Sequence, residues 1–333
     1  MKVSLLNINV LKIEFRYNVL TKDLVKQLDG RKWNAPGKFW TIPVNIKTLA
    51  SLDILKKAGF IIADEVYTVL GDLEGHNARL NDLAEAVSGD FATNLPLLPY
   101  QRAGAEFLTL AGSAVLGDDV GLGKTIQTLA TIEARPDVKK VLVFCPSVLK
   151  YQWQNEIVKF LGTESTSNLG EVTRVYRYVT VIDGNGAQRA KQWANQWPYK
   201  YYLANYELLL RDFDFMSLIN WDYIVADEAT KVSNHRAKSS KAIKNLKAKY
   251  RLALTGTPIS NRVDDLWNVI DFTNPGALGA YDQFMDKYTI RGGQFNQIFG
   301  YANLDELKTI LKSFIIRRVK EDVLKELPDK RLI

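Results

Sequence analysis

From residue 95 onward, short apolar runs alternate with longer segments of helical periodicity. The runs are SAVLG at 113–117, KVLVFC at 140–145, KYYLAN at 200–205, DYIVAD at 222–227 and YRLALTG at 250–256. Each is apolar nearly throughout and ends in small or polar residues. Strands buried on both faces have this pattern, and they belong to parallel sheets whose strands are joined by helices. The predicted fold class is therefore α/β, with a central, mostly parallel sheet. Right-handed crossovers place every loop that follows a strand on one edge of such a sheet. The residues able to do chemistry all fall just after these runs.

The first 70 residues have a different rhythm and predict a small α+β domain. KIEFRYNV alternates like a strand. Thr21 is the predicted cap of the helix KDLVKQLDG, which stops at Gly30. RKWNAPGKFWTIPV reads as two short strands around an Asn-Ala-Pro-Gly turn, and IKTLASLDILKKAG as a second amphipathic helix. FIIADEVYTVL reads as a closing strand, giving β-α-β-β-α-β. Residues 71–94 are polar and acidic, with Gly71, Gly75 and Gly89, and read as a linker holding one short helix near 80–87. The expected domains are thus 1–70, a linker at 71–94, and 95–333.

Charge sharpens this division. Residues 1–62 carry 11 Lys/Arg against 4 Asp/Glu, and residues 63–90 carry 1 Arg against 7 Asp/Glu, within a whole-chain net charge of +7. A basic module, an acidic connector and a large body follow, and a basic module is an electrostatic footprint for nucleic acid. Chemistry is narrowed by what is scarce. The single cysteine, Cys145, excludes an internal disulfide or a cysteine-built zinc site, and it reads as a small buried hydrophobe. Two histidines cannot make a histidine cluster, so any metal would take oxygen ligands, as Mg²⁺ or Ca²⁺ does. No apolar run approaches the roughly 18 residues of a membrane helix, and the Asn, Lys and Glu among the first fifteen residues do not suit a signal peptide.

The candidate chemistry begins at GDDVGLGKTIQT, residues 117–128. The phosphate-loop pattern GxxxxGK[ST] would put a glycine at 118, where this chain has Asp118. The rest of the loop fits. Gly121 and Gly123 let backbone N–H groups wrap a phosphate, Leu122 lies between them, and the helix start adds positive potential. Lys124 supplies a full charge for the β and γ phosphates, and Thr125 a hydroxyl for Mg²⁺. A second strand tip ends in Asp227 and Glu228. The first can hold Mg²⁺ and the second can polarise an attacking water, since two carboxylates at a buried tip need a compensating cation. A third tip, LALTGTPISN at 252–261, is rich in hydroxyls. KSSKAIKNLKAKY spaces Lys238, Lys241, Lys244 and Lys247 three apart, as on a solvated helix face. Trp193 and Trp197 suit either a core or a partner surface.

Taken together, these segments resemble the Swi/Snf-family ATPases of helicase superfamily 2. LPYQRAGAEFL (98–108) is similar to that family's adenine-reading segment, with Gln101 as its glutamine, and DDVGLGKTIQT to its phosphate loop, where the first glycine is routinely replaced. VLVFCPSVLKYQWQNEI (141–157), YLANYELL, DEAT, LALTGTPISN and FIIRRVKEDVLKELPDK resemble its following motifs in order. Thr230 stands where the family usually has histidine, and Asp119 where it usually has glutamate. The resemblance implies a RecA-like first lobe and a DNA-dependent ATPase that uses ATP and Mg²⁺ and tracks along duplex or branched DNA. It also implies Ser147, Lys150 and Asn205 on the DNA-facing edge, with contacts mostly to phosphates. Family members add a second RecA-like lobe with arginine fingers, worth about 10³–10⁵ in rate. Residues 1–333 alone are therefore expected to bind nucleotide and hydrolyse it slowly. The alternatives are a DNA-gripping lobe without catalysis and a nucleoprotein remodeller.

GRKWNAPGKFWTIPV resembles, less specifically, the HARP domain of annealing helicases, which implies fork remodelling or strand annealing. There, Trp33 and Trp40 would stack bases beside Arg31, Lys32 and Lys38, or both rings would simply be core. A monomer is expected, in the cytoplasm of a bacterial or phage-infected host, or in the nucleus of a eukaryote.

Overall fold

The computed structural model describes residues 1–323, apart from 8, 29, 46–47, 167–171, 176–177, 196–197, 233, 235–236, 257–262 and 293–296. Two compact units emerge: residues 1–81 with 276–284, and residues 82–275 with 285 onward.

The first unit holds β1 (Lys2–Asn7), β2 (Val10–Glu14), α1 (Val19–Val25), β3 (Lys32–Asn34), β4 (Phe39–Pro43), α2 (Thr48–Lys57) and β5 (Ile61–Ile62), and α3 (Asp64–Glu85) begins within it. The five strands form one sheet in the order β3-β4-β2-β1-β5, antiparallel except for the parallel β1–β5 pair. Val3, Leu11, Ile13, Val25, Leu28, Ile42, Leu52 and Leu55 make its core.

Three sequence expectations change in this region. The opening strand is a β1–β2 hairpin. Helix α1 is capped by Asn18 rather than Thr21: Asn18 is extended (φ −146°) and its side chain accepts the Thr21 N–H. The expected closing strand shortens to Ile61–Ile62, and the rest of that segment and much of the expected linker form the 22-residue helix α3. Val66, Leu70, Leu80 and Leu83 are buried on one stripe of α3, and Asp64 and Glu65 occupy its first turn, where acids favour a helix. Its other acids belong to a solvated face.

The second unit continues through α4 (Pro99–Ala111), β6 (Ala114–Leu116), α5 (Lys124–Glu133), β7 (Val141–Cys145), α6 (Lys150–Leu161), β8 (Thr163–Thr166), β9 (Val172–Val175), β10 (Val179–Val181), α7 (Gly186–Ala194) and β11 (Tyr201–Asn205). It goes on through α8 (Leu208–Arg211), α9 (Phe213–Ser217), β12 (Trp221–Asp227), α10 (Lys238–Asn245), β13 (Ala248–Leu254) and α11 (Val263–Thr273). Helix α12 (Tyr281–Tyr288) starts among residues grouped with the first unit, and the last elements of the second are β14 (Thr289–Gly292), β15 (Gln297–Tyr301), α13 (Leu304–Leu311), β16 (Ile315–Ile316) and α14 (Lys320–Val323).

Seven strands form the central sheet in the order β10-β11-β7-β12-β13-β6-β16, and every pairing within it is parallel. This is the predicted α/β architecture. All five apolar runs are strands of the sheet, and β7 is buried along its whole length. The register positions the chemistry: Asp227 of β12 pairs with Leu254 of β13, which pairs with Leu116 of β6. The three tips are level, so whatever follows each strand gathers at one edge.

Two lesser expectations are settled by packing. Cys145 is buried, and burial pushes its thiol up to about 12, so it is an inert hydrophobe at neutral pH. The lysine row on α10 is not wholly solvated, because Lys244 donates to Asn268 and to Asp271 at 2.7 Å.

Candidate active site

At the common sheet edge lies a cavity of about 480 Å³, lined by Gln101, Gly121, Gly123, Lys124, Thr125, Asp227 and Glu228 among others. Helix α5 supplies one wall. Its N-cap, Gly123, sits in the left-handed region (φ 75°) with no side-chain cap, and Gly121 shares that conformation (φ 88°). The first-turn N–H groups of a helix lack intrahelical acceptors, so an uncapped glycine start leaves them for a ligand anion. Leu122 plays a different part from its neighbours. Its side chain is fully buried, its N–H bonds Asp119 O at 3.2 Å, and its carbonyl receives the Gln101 amide at 3.2 Å. It anchors the loop from beneath.

Lys124 folds back over the loop. Its ammonium donates to the carbonyls of Asp118 (2.9 Å) and Asp119 (3.4 Å). Burial pushes its pKa below the usual lysine value, opposed by the charges of Glu228, Asp118, Asp227 and Asp119. Thr255 and Gly256 continue β13 toward this lysine. The Thr255 N–H bonds Leu116 O, and a Cβ at Gly256 would stand 3.2 Å from the Lys124 ammonium. The rest of that hydroxyl-rich segment, 257–261, lies outside the described residues.

Asp227 is held from two sides. Its Oδ2 accepts the Trp153 indole N–H at 2.8 Å, and its Oδ1 accepts the Glu228 N–H at 3.0 Å. Burial raises its pKa above the usual aspartate value, and those two hydrogen bonds and Lys124 pull it back down. The Tyr206 hydroxyl donates to the Asp227 carbonyl at 2.7 Å. Glu228 adopts φ +52°, a conformation rare for a residue with a side chain and typical of strained functional positions.

Gln101 reaches the cavity wall but is already engaged. Its Oε1 accepts the Leu98 N–H at 2.9 Å, and its Nε2 donates to Leu122 O. Nε2 also donates to the Tyr100 hydroxyl at 3.4 Å, so the capacity left for a ligand is the second lone pair of Oε1.

Ser147, in the turn Ser147–Leu149 after β7, is exposed, and Asn205 at the tip of β11 is half-exposed. Asn205 pairs in register with Cys145, which brings these two tips to the same edge. Lys150 departs from expectation. It is 2% exposed, and its ammonium is turned inward to Ile182 O (3.1 Å) and Asp183 (3.3 Å). A long side chain at a helix start can point into the fold as readily as out of it, and here it satisfies the end of β10. Trp193 is likewise core, with its indole N–H on Asp212 at 2.9 Å; Trp197 lies outside the described residues.

In the first unit, Trp40 packs against the core while Trp33 is 51% exposed, with ring centroids 5.3 Å apart. Trp33, Trp40, Tyr17, Phe39, Lys22 and Lys38 help line a concavity of about 680 Å³. One ring therefore serves the core and the other faces solvent. Arg31, Lys32 and Lys38 are exposed, and Arg31 donates to Leu28 O.

The SNF2-related domain matches residues 100–333. The chain belongs to the SNF2-related family. TATA-binding protein-associated factor 172 of Homo sapiens is 32% identical over 264 residues, covering 71% of this chain and 14% of that protein. The mot1 factor of Schizosaccharomyces pombe is 31% identical over 273 residues, covering 74% and 13%. Among solved structures, the Sulfolobus solfataricus SWI2/SNF2 ATPase core in complex with dsDNA matches with TM-score 0.59 at 33% identity, covering 73% of this chain and 49% of that one. The chain thus spans about half of that solved core and a small part of these curated relatives.

Sequence reasoning missed several residues of this SNF2-related site. Trp153, Gln152, Glu156 and Phe160 come from α6, and all but Trp153 line the cavity directly. The W-x-x-E-I spacing at 153–157 was visible, but nothing in it said that the indole meets Asp227. Tyr206 was equally silent.

A metal would need help from its ligand. Among the described residues, no group of three or more His, Cys, Asp or Glu could hold one. Mg²⁺ is commonly bound by one or two carboxylates together with substrate phosphates. The desolvated Asp227 carboxylate and the Thr125 hydroxyl, both on one cavity, suit that arrangement.

Proposed function

We propose that this chain is the nucleotide-binding lobe of an ATP-driven motor that moves along DNA. The observation that carries the reading is the joint placement of Lys124, Thr125, Asp227 and Glu228 on a single cavity at the edge of a parallel sheet. The uncapped start of α5 receives the phosphates, and Lys124 exchanges its two carbonyl partners for phosphate oxygens. Thr125 and Asp227 would hold Mg²⁺, which supplies positive charge to those oxygens when bound. Glu228 orients and polarises the attacking water. Its strained backbone is fixed in part by its own N–H on Asp227. Gln101 spends its spare hydrogen-bonding capacity on the adenine edge.

Catalysis of this kind is mostly positioning and electrostatics. In this reading, charge for the transition state also comes from a second RecA-like lobe. The DNA track is the sheet edge near Ser147 and Asn205, without Lys150. Phosphate contacts dominate it, so affinity falls steeply with salt and depends little on sequence. The relative solved with dsDNA supports duplex as the track. The first unit adds a stacking surface around Trp33 with Arg31, Lys32 and Lys38 beside it, suited to unpaired bases at a branch. Fork remodelling or strand reannealing is the task this implies.

The test is ATP hydrolysis by the full-length protein with and without duplex DNA. Stimulation by DNA that disappears in Lys124→Ala supports the motor. DNA binding with no hydrolysis in either protein would replace it with a passive DNA-gripping lobe.

A further inference from the structure

Asp118, the residue that breaks the simple phosphate-loop pattern, is fully buried. A buried carboxylate is costly unless it is paired and hydrogen-bonded. Its partner is Arg318, 4% exposed, just beyond the edge strand β16. The Arg318 backbone N–H and its Nε both donate to Asp118 Oδ1, at 3.1 and 3.0 Å, and an Nη takes Oδ2. Gln127 of α5 closes the ring. Its Nε2 donates to Asp118 Oδ2 at 3.0 Å, and its Oε1 accepts from Arg318 at 2.6 Å. The other Nη of Arg318 donates to the Tyr100 carbonyl on α4.

The main chain repeats the attachment. Gly117 N–H bonds Ile316 O at 2.8 Å, Asp119 N–H bonds Arg318 O at 3.0 Å, and Lys320 N–H bonds Asp119 Oδ2 at 3.2 Å. Room for the cluster is made on α4, where a Cβ at Gly104 would collide with Gln127 Oε1 and stand 2.5 Å from an Arg318 Nη. One guanidinium therefore ties together α4, the phosphate loop, α5 and the edge strand. Neither Asp118, Gln127 nor Arg318 lines the cavity. They act on it through the loop, because the carbonyls of Asp118 and Asp119 seat the Lys124 ammonium, and Leu122 O, which receives Gln101, also receives Gln127.

We propose that Arg318 is a positioning residue of the nucleotide site, setting the phosphate loop from the edge strand by its fork on Asp118 and Gln127. This rests on the nucleotide reading of the cavity. Coupling between two sites is reciprocal, so nucleotide in the loop must also stabilise the hydrogen bonds that hold residues 316–320. Lysine keeps the charge of Arg318 but not its planar fork, and so cannot bond Asp118, Gln127 and Tyr100 together.

The experiment uses the full-length protein, ATP with Mg²⁺ and duplex DNA. In the wild type, saturating ATP should slow amide exchange at Gly117, Asp119, Arg318 and Lys320. Arg318→Lys should keep a cooperative melt and its DNA affinity, while binding ATP at least tenfold more weakly and losing that protection. Should Arg318→Lys not fold, the Asp118→Asn/Arg318→Gln double variant removes both buried charges and leaves polar groups in their place. It should melt cooperatively and still bind ATP at least tenfold more weakly. Wild-type exchange at these amides that ignores ATP overturns the proposal, and so does a folded variant that binds ATP within threefold of wild type. Equal loss of ATP affinity, DNA affinity and melting temperature would mark Arg318 as a general structural residue and overturn it too. If wild type binds no ATP at all, the nucleotide reading itself falls, and this proposal with it.

Discussion

The cavity at the sheet edge and the concavity of the first unit both gather lysine, yet they use it in opposite ways. At the sheet edge, Lys124 is drawn out of water among Glu228, Asp118, Asp227 and Asp119, and burial pulls its pKa down. In the first unit, Lys38 stays exposed beside the half-open Trp33, and the lining is mainly aromatic. Charges in a desolvated network interact strongly and fail together, whereas solvated charges are screened within about 10 Å at ordinary salt. Substitutions at the first site should therefore have large effects that resist salt, and those at the second smaller effects that salt erases.

The largest expected effect is Lys124→Ala, which should lower DNA-stimulated ATP hydrolysis by about 10²–10³, the usual cost of losing one preorganised charge-stabilising donor. A loss below tenfold would put the phosphates elsewhere. Trp153→Phe comes next. It removes a hydrogen bond to a charged group, worth about 1.5–3 kcal/mol. That bond holds the Asp227 pKa down, so its loss should raise the pKa further and move the acid limb of the pH–rate profile to higher pH. An unmoved limb would separate Trp153 from Asp227.

On the other side of the comparison, Trp33→Ala should weaken single-stranded or forked DNA binding by about 1–3 kcal/mol, the range for one stacked base, without altering the melt. Trp40→Ala should lower the melting temperature instead, because Trp40 packs on the core. If both act alike, the division of labour between the two rings is wrong. Lys38→Ala should reduce the slope of log affinity against log salt by about one.

The smallest effect is on stability. Burial raises the Asp227 pKa in the folded chain, so the folded state takes up its proton more readily than the unfolded one. The resulting destabilisation is fully present above the raised pKa and is gone below the ordinary value of 3.8. The melting temperature of Asp227→Asn minus that of wild type should thus fall as pH drops from neutral toward 3.8. Thermal melts of both proteins across that range decide it.

Legibility from sequence follows the same contrast. Five of the sheet strands could be read because burial on both faces forces unbroken apolar runs, as in VLVFC. β10 and β16 could not: Thr180 interrupts the only partly buried β10, and β16 is two residues long. Helix α3 was hidden by its charge: six acids and two glycines suggest a connector, while its buried stripe of Val66, Leu70, Leu80 and Leu83 is spread over many turns. The common cavity of the glycine loop and Asp227-Glu228 was legible because each directly follows a readable strand. Arg318 was not, since its partner Asp118 lies 200 residues away. Lys150 was misplaced for a related reason. A strand tip fixes where a backbone goes, not whether the side chain turns to solvent or back to Ile182 O.

The central claim is that the cavity lined by Gly121 and Gly123 receives nucleotide phosphates. Calorimetric titration of ATP with Mg²⁺ into the wild-type protein and into Lys124→Ala tests it most directly. The account predicts saturable one-to-one binding by the wild type, weakened at least tenfold by the substitution while ADP and ATP compete for the same site. Equal affinities in the two proteins, or no binding by either, would contradict it.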